Sequence, residues 1–513
     1  MKVPILILAA FAAVATPDFN RAVLVLTGAG CVEDLDETTM ERFRSLSAHP
    51  IDLNHAGRSR LMSSGLLSQY QVASLLEYRQ ATGDILSYEE LALVDGFPPQ
   101  VAEALRLFTR LEALGPPGKR RRSGMHHDVM IRGAARTGAS AWGVKYKGTI
   151  GESFEFNWGT RTTYSDGVLR PGTFSAAVYG TKHLGKLVLG HFNARFGQGL
   201  TQWSGFSMPG YSSVDCMKRS GTGFSLTSSF SPELMGIAAD FEFGRWNAAL
   251  GYSWEGKLPI AAVTYVSKTF TAGITATSHS AGADWRIGIP NASIFGELAW
   301  NKGPQAVCGV MWIPEYGRKL AAVARYTDGN PELMAGLKTP AWDAVGLVSS
   351  KQVRLMARWA PTLQVGKAEF VPSLRLSARK TDSWRLEGRG EMQLEGGGWM
   401  LRSRLDLVKC TGFSFLVNAE AGRSEGALRA WVRWSLFRVD NWADRIWVYE
   451  RDAPGNFNVP AYYGKGWSAS LYTAWKPSRR HAIYLRVSYI SYPWMSEQKP
   501  SRTEVKLQYQ LSL

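Results

Sequence analysis

The last twelve residues constrain this chain most. Within residues 502–513, Val505, Leu507, Tyr509, Leu511 and Leu513 alternate with Lys506, Gln508, Gln510 and Ser512. A period of two over the whole segment makes a strand with one apolar and one polar face. A final strand of this kind is what a membrane β-barrel needs to close against its first strand, because a sheet in lipid can leave no open edge.

Composition agrees with that demand. The 513 residues include 19 Trp, 19 Tyr and 52 Gly, with a mean hydropathy of only −0.15. After residue 31, no stretch is apolar for the roughly 18 residues a spanning helix requires. Many aromatics without a membrane helix fit a barrel with a polar lumen and an apolar belt; a large soluble β-protein is the alternative. From about residue 127 onward, segments of eight to twelve residues alternate in polarity between Gly, Asp, Asn, Ser and Pro. They add up to about 20 strands, with an even number expected. Trp142, Trp158, Trp254, Trp300, Trp359, Trp475 and Tyr489 lie near segment ends, where interfacial girdles form. Cross-strand packing would also place them there.

Charge divides the chain. Residues 32–112 hold 13 Asp/Glu and 7 Lys/Arg, a balance of −6. The formal net charge of the whole chain is +16, which leaves about +21 for residues 113–513. The basic part suits anionic partners: lipopolysaccharide and other outer-membrane lipid, acidic polysaccharide, or nucleic acid.

At the start, Lys2, an apolar run and Ala13-Val14-Ala15 read as an export signal. Residues 1–30 form this signal segment, cleaved somewhere between 15 and 31. A second run from Ala22 to Leu26 extends the signal or leads to a poor lipobox at Cys31; a buried helix is the bland reading. Cys31, Cys216, Cys308 and Cys410 form no CxxC pair, so no zinc site is expected, and one unassigned disulfide is possible in an exported chain. A charged helix over 33–47 ends at Pro50. Residues 32–112 then form a small all-α domain. Helices are expected over 58–63, 70–79, 88–94 and 99–111, paired across turns at Gly65-Leu66-Leu67 and Gly96-Phe97-Pro98. Residues 113–126 are a Pro/Gly and basic linker. Its Lys119-Arg120-Arg121-Arg122 is either a phosphate or headgroup contact or a solvated charge run. Residues 127–513 are the barrel.

The words PIDLNHAG, VASLLEYRQATG, LSYEELALVDGF and RLFTRL resemble the ComEA-type double helix-hairpin-helix domain. That resemblance implies hairpins whose backbone N–H groups hold a DNA phosphate, placing possible contacts at Gly65, Leu66, Gly96 and Phe97. Both hairpins depart from the Gly-hydrophobic-Gly pattern: Leu67 and Pro98 stand where the second Gly belongs, and Pro has no N–H. The acidic surroundings also repel phosphate. The closing strand resembles the C-terminal recognition strand of bacterial outer-membrane proteins, with Leu513 in place of the usual aromatic. LGHFNARFGQGLTQWSGF, RSGTGFSLTSSF and YERDAPGNFNVPAYYGKG resemble a Bacteroidota outer-membrane family that joins such a helical domain to a barrel. The resemblance implies location and architecture, with no settled activity.

No catalytic motif stands out, and the chain reads as no enzyme, with no cofactor and no metal. His126 and His127 are not at zinc spacing. His183 and His191 are candidates by type only. Glu450 and Asp452 are at acid–base spacing; a turn with exposed carboxylates is the other reading. Arg375, Arg379, Arg402 and Arg404 face the lumen, where they favour anions or pair with Asp and Glu. The expected role is binding, transport or scaffolding in the outer membrane. The helical domain, in the periplasm, docks a periplasmic or outer-membrane protein or plugs the lumen. DNA binding or uptake is the alternative.

Overall fold

The computed structural model describes residues 19–35, 37–112 and 124–513, apart from 181–182, 205–212, 228–232, 290, 316, 455, 457, 479 and 496–499. Residues 1–18, with the Ala13-Val14-Ala15 motif, and Lys119-Arg120-Arg121-Arg122 lie outside the described residues.

The C-terminal part is a closed antiparallel barrel. Its first strand is Met125–Arg136 and its last Arg502–Ser512. These two pair directly, with Val505 opposite Ala135 and Leu511 opposite Val129. The ring contains 24 strands, rather than about 20. Val353–Trp359 and Leu363–Val365 share one partner and count as one interrupted strand. So do Gly223–Leu226 and Leu234–Phe243. The excess over expectation comes from two-residue turns that leave almost no loop signal. Between Lys319–Thr327 and Asn330–Lys338 stand only Asp328 and Gly329, at φ 50° and 73°, the left-handed pair that matches strand twist.

The wall is inverted relative to a soluble protein. On Asn330–Lys338, Leu333 is 64% exposed while its neighbours Glu332 and Met334 are buried. On Phe413–Glu425, Asn418 and Glu420 point inward and Val417 outward. An apolar outer face around a polar inner face is stable only with lipid outside. Exposed tryptophans mark both ends of the wall: Trp246, Trp312, Trp342 and Trp475 at one, Trp142, Trp254, Trp300 and Trp384 at the other. At the end where the barrel begins and closes, connections run to six residues at most. The opposite end carries the long connections 162–169, 196–222, 440–463 and 492–501.

The helical unit precedes the barrel. It comprises α1 (Phe19–Thr27), α2 (Glu37–Ala48), α3 (Arg58–Ser64), α4 (Gln69–Thr82), α5 (Tyr88–Leu91) and α6 (Pro99–Leu105). The run from Ala22 to Leu26 is thus part of a helix packed on the unit: Ala22 and Val23 are buried, and the Phe19 and Phe108 rings meet at 5.8 Å. Ser68 and Gln71 form a capping box that starts α4. Gly65 ends α3 in the left-handed conformation, φ 61°. α6 stops at Leu105, short of residue 111, because Thr109–Arg110 pairs in parallel with Ile51–Asp52.

A 24-strand ring is too wide for its own side chains to fill, since barrel diameter grows with strand number. The helical unit and two of the long connections occupy the lumen.

Candidate functional site

The lumen is where the chain concentrates buried charge. Just after Cys31, a short turn of 3-10 helix presents Glu33 and Asp34 to the wall. Glu33 pairs with Arg404 and lies 3.6 Å from Arg389; Asp34 lies 3.6 Å from Arg375. The wall prepares this contact by register. Trp384–Gly396 and Trp399–Lys409 alternate, and their inward positions set Arg389 opposite Asp406 and Glu391 opposite Arg404. Asp406 accepts from Arg389 at 2.9 Å and from Arg404 at 2.6 Å, and Glu391 from Arg402 at 2.7 Å. Burial alone raises the Glu33 carboxyl, but Arg404, then Arg389 and Arg402, outweigh it and hold Glu33 well below the usual carboxylate range. Of the four arginines expected either to favour anions or to pair with Asp and Glu, Arg375, Arg402 and Arg404 are engaged in ion pairs. Arg379 is exposed near the long-loop end.

Cys31 lies inside the ring. Its Sγ is 2.9 Å from Arg375 and 3.0 Å from Asp34. Burial, then Asp34, pushes the thiol up to about 12. All four cysteines are free.

Across the lumen, α3 docks on the opposite wall. Ser59 N and Oγ both donate to Glu242, the amide at 3.0 Å. Arg60 pairs with Glu152 at 3.2 Å and with Glu155. Lys186, with no exposed surface, bridges Asp240 at 2.8 Å and Ser63 Oγ at 2.8 Å. His49 meets Asp128, Lys147 reaches Ser45 Oγ at 2.6 Å, and Lys268 meets Asp95. The helical unit is therefore tied to the wall on several sides.

The long connections close much of what remains. Within 196–222, the Gln198, Leu200 and Thr201 amides donate to Glu297 at 2.7, 3.2 and 2.9 Å. Asp215 pairs with Lys319 at 2.5 Å and with Lys338. Val214 and Met217 pack on Phe295, Val307 and Met334. Within 440–463, Glu450 and Asp452 are buried and paired, Glu450 with Arg486 and Tyr462, Asp452 with Lys506 at 2.6 Å. They are thus neither an exposed turn nor a free acid–base pair. His183 stacks on Phe243 at 5.4 Å and His191 faces the Phe174 backbone.

A cavity of about 1230 Å³ remains between the helical unit and the wall. Twelve Lys or Arg and five Asp or Glu line it, among them Arg44, Arg429, Lys476 and Arg480.

The expected phosphate contacts are placed differently. Leu66 and Phe97 are buried in the core of the helical unit. The hairpin amides already have partners: Gly65 N donates to Met62 O, Leu66 N to Ser64 Oγ and Phe97 N to Val94 O. The Gly96 carbonyl accepts from Gln71 at 2.8 Å. The Gly65, Leu66 and Phe97 amides are thus taken by the chain's own acceptors. The docking residues Glu33, Asp34, Ser59, Arg60 and Lys186 were not singled out from sequence. Their one sequence signal is the opposite charge of the two parts, −6 against about +21.

No protein-family model matches the chain, and the helix-hairpin-helix resemblance finds no support there. No curated protein matches it. Remote likenesses exist among solved barrels. OpdK of Pseudomonas aeruginosa, crystallised with vanillate, is 10% identical with a TM-score of 0.31, over 76% of this chain and 98% of that one. OccAB3 of Acinetobacter baumannii is 9% identical with a TM-score of 0.32, over 76% and 99%. OprD of P. aeruginosa is 9% identical with a TM-score of 0.33, over 76% and 95%. At these values the likenesses settle neither family nor substrate.

Proposed function

We propose that this protein is an outer-membrane barrel that binds and passes solutes, and that its N-terminal helical unit is the plug that closes it. The carrying observation is the docking of that unit across the lumen, from Glu33 on the Arg389/Arg404 wall to Arg60 and Ser63 on the Glu155/Lys186 wall. The short-turn end, where the unit joins the first strand, faces the periplasm, because barrels of this kind keep short turns there and long loops outside. In this reading the ComEA-like arrangement serves as a stopper rather than a DNA reader, its hairpins turned into its own core. A periplasmic protein is the natural partner to displace it. Leu86 and Leu93, 74% and 79% exposed beside Glu89, give that partner an apolar foothold on the plug.

Planar-bilayer conductance tests the proposal. The whole chain should be nearly closed, while a chain lacking residues 19–112 should conduct as a wide pore. Equal conductance from both would remove the plug from the account.

A further inference from the structure

The cavity beside the plug has a composition that the plug does not use. Its wall is built from strands whose inward positions alternate regularly. Leu428–Val439 contributes Arg429 and Trp431, Gly464–Trp475 contributes Tyr472, and His481–Ser491 contributes Tyr484. Trp431 and Tyr472 are adjacent, centroids 5.6 Å apart; the Trp431 indole N–H edge packs on Gly422, and Arg451 lies 4.8 Å over the ring. From the plug side, Arg44 reaches the same space, its guanidinium 5.7 Å from the Phe19 ring.

The charges do not balance. Most lining carboxylates already have ionisable partners: Asp128 with His49, Glu155 with Arg60, Glu369 with Arg21 and Asp452 with Lys506, while Glu395 accepts from the neutral Gln393 amide. Among the described residues, Arg44, Lys367, Arg429, Lys476 and Arg480 have no carboxylate within ion-pair distance. An aromatic lining and uncompensated cations together describe a complementary ligand. It carries several negative charges, has ring-shaped faces that stack on aromatics, and fills a space somewhat larger than the roughly 300–1000 Å³ of a drug-sized site.

We infer that the luminal cavity beside the plug binds an anionic oligosaccharide, held by Arg44, Arg429, Lys476 and Arg480 and stacked on Trp431 and Tyr472. The inference rests on reading the barrel as a handler of solutes, and it names the class of solute.

The test is titration calorimetry on the whole chain in detergent, with three probes: trigalacturonate, neutral maltotriose and inorganic phosphate. Trigalacturonate should bind, and its affinity should fall as salt rises from about 50 to about 500 mM, because exposed rim charges are screened over that range. Maltotriose and phosphate should bind at least about tenfold more weakly, lacking the charge and the rings respectively. The double variant R429E/K476E should lose about tenfold in trigalacturonate affinity. Both side chains are exposed, so folding should survive; R429Q/K476Q, with a smaller loss, separates charge reversal from charge removal. Absence of trigalacturonate binding, equal binding of maltotriose, equal binding of phosphate, or unchanged affinity in R429E/K476E would each overturn the assignment. Failure of this site and failure of the plug are distinguishable: a chain that opens on removal of residues 19–112 but binds no trigalacturonate keeps the plug and loses the ligand.

Discussion

The two halves of the inner wall differ in what they offer the lumen. Between Trp246 and Trp359 an apolar cluster of Phe295, Val307, Met311, Val323, Met334 and Leu347 packs under Val214 and Met217 of the barrel's own connection, with Asp215 paired to Lys319 and Lys338 beside it. Between Ala368 and Ser512 the inward residues include Arg389, Arg402, Arg404, Asp406, Glu420, Arg433 and Arg486, facing the plug, a second connection and the cavity. Separating an apolar contact exposes oil to water at about 25 cal/mol per Å². Separating a charged contact lets water replace each partner, so a wet lumen can open it and re-form it in the same register. The apolar half holds the barrel's own connection, and the charged half holds the Glu33 end of the helical unit.

Four changes should break or sharpen that contrast. Phe295→Ala in the apolar half leaves a hole under the connection and should cost about 3–5 kcal/mol of barrel stability in urea titration, with plug docking unchanged. Glu33→Gln in the charged half leaves Arg404 and Arg389 short of an anion and should cost about 3 kcal/mol of docking. Hydrogen exchange in α1–α6 should then speed up about a hundredfold while the barrel midpoint stays put. Leu333→Arg, on the outer face of the apolar half, should cost about 2 kcal/mol of membrane insertion and leave the lumen alone.

The smallest effect concerns pH. The Glu33 carboxyl is held below its ordinary value, so its contribution is complete above the unfolded value of 4.5 and is lost only as pH falls through the lower folded value. Protection of α1–α6 should be the same at about pH 7 and pH 5 and decline only below about pH 4. Decline already between 7 and 5 would mean that another group carries the docking.

Much of the wall was legible in the sequence because alternation is a local property. Val505 to Leu513 announced a strand with one apolar face, and its pairing with Met125–Arg136 follows from the need to close a ring. The helices at 58–63 and 70–79 appear within a few residues of their expected ends, since capping and spacing are also local. Strand number was read low where turns shrink to Asp328-Gly329. The place of the helical unit was not legible, because Glu33 meets Arg404 across 371 residues of chain and only the closed ring brings them together. The buried pairing of Glu450 and Asp452 escaped for the same reason: Arg486 and Lys506 come from other strands.

A disulfide staple tests the central claim most directly. A Cβ at Gly185 would abut Ser59 Oγ, so the pair Ser59→Cys/Gly185→Cys should join α3 to the wall. Conductance is then followed in urea at about 3 M, enough to loosen a small helical unit while the barrel stays folded. The unstapled protein should open as urea rises; the stapled protein should stay closed until a reductant is added. A protein that conducts fully without urea, or that opens equally with the staple intact, would contradict the account.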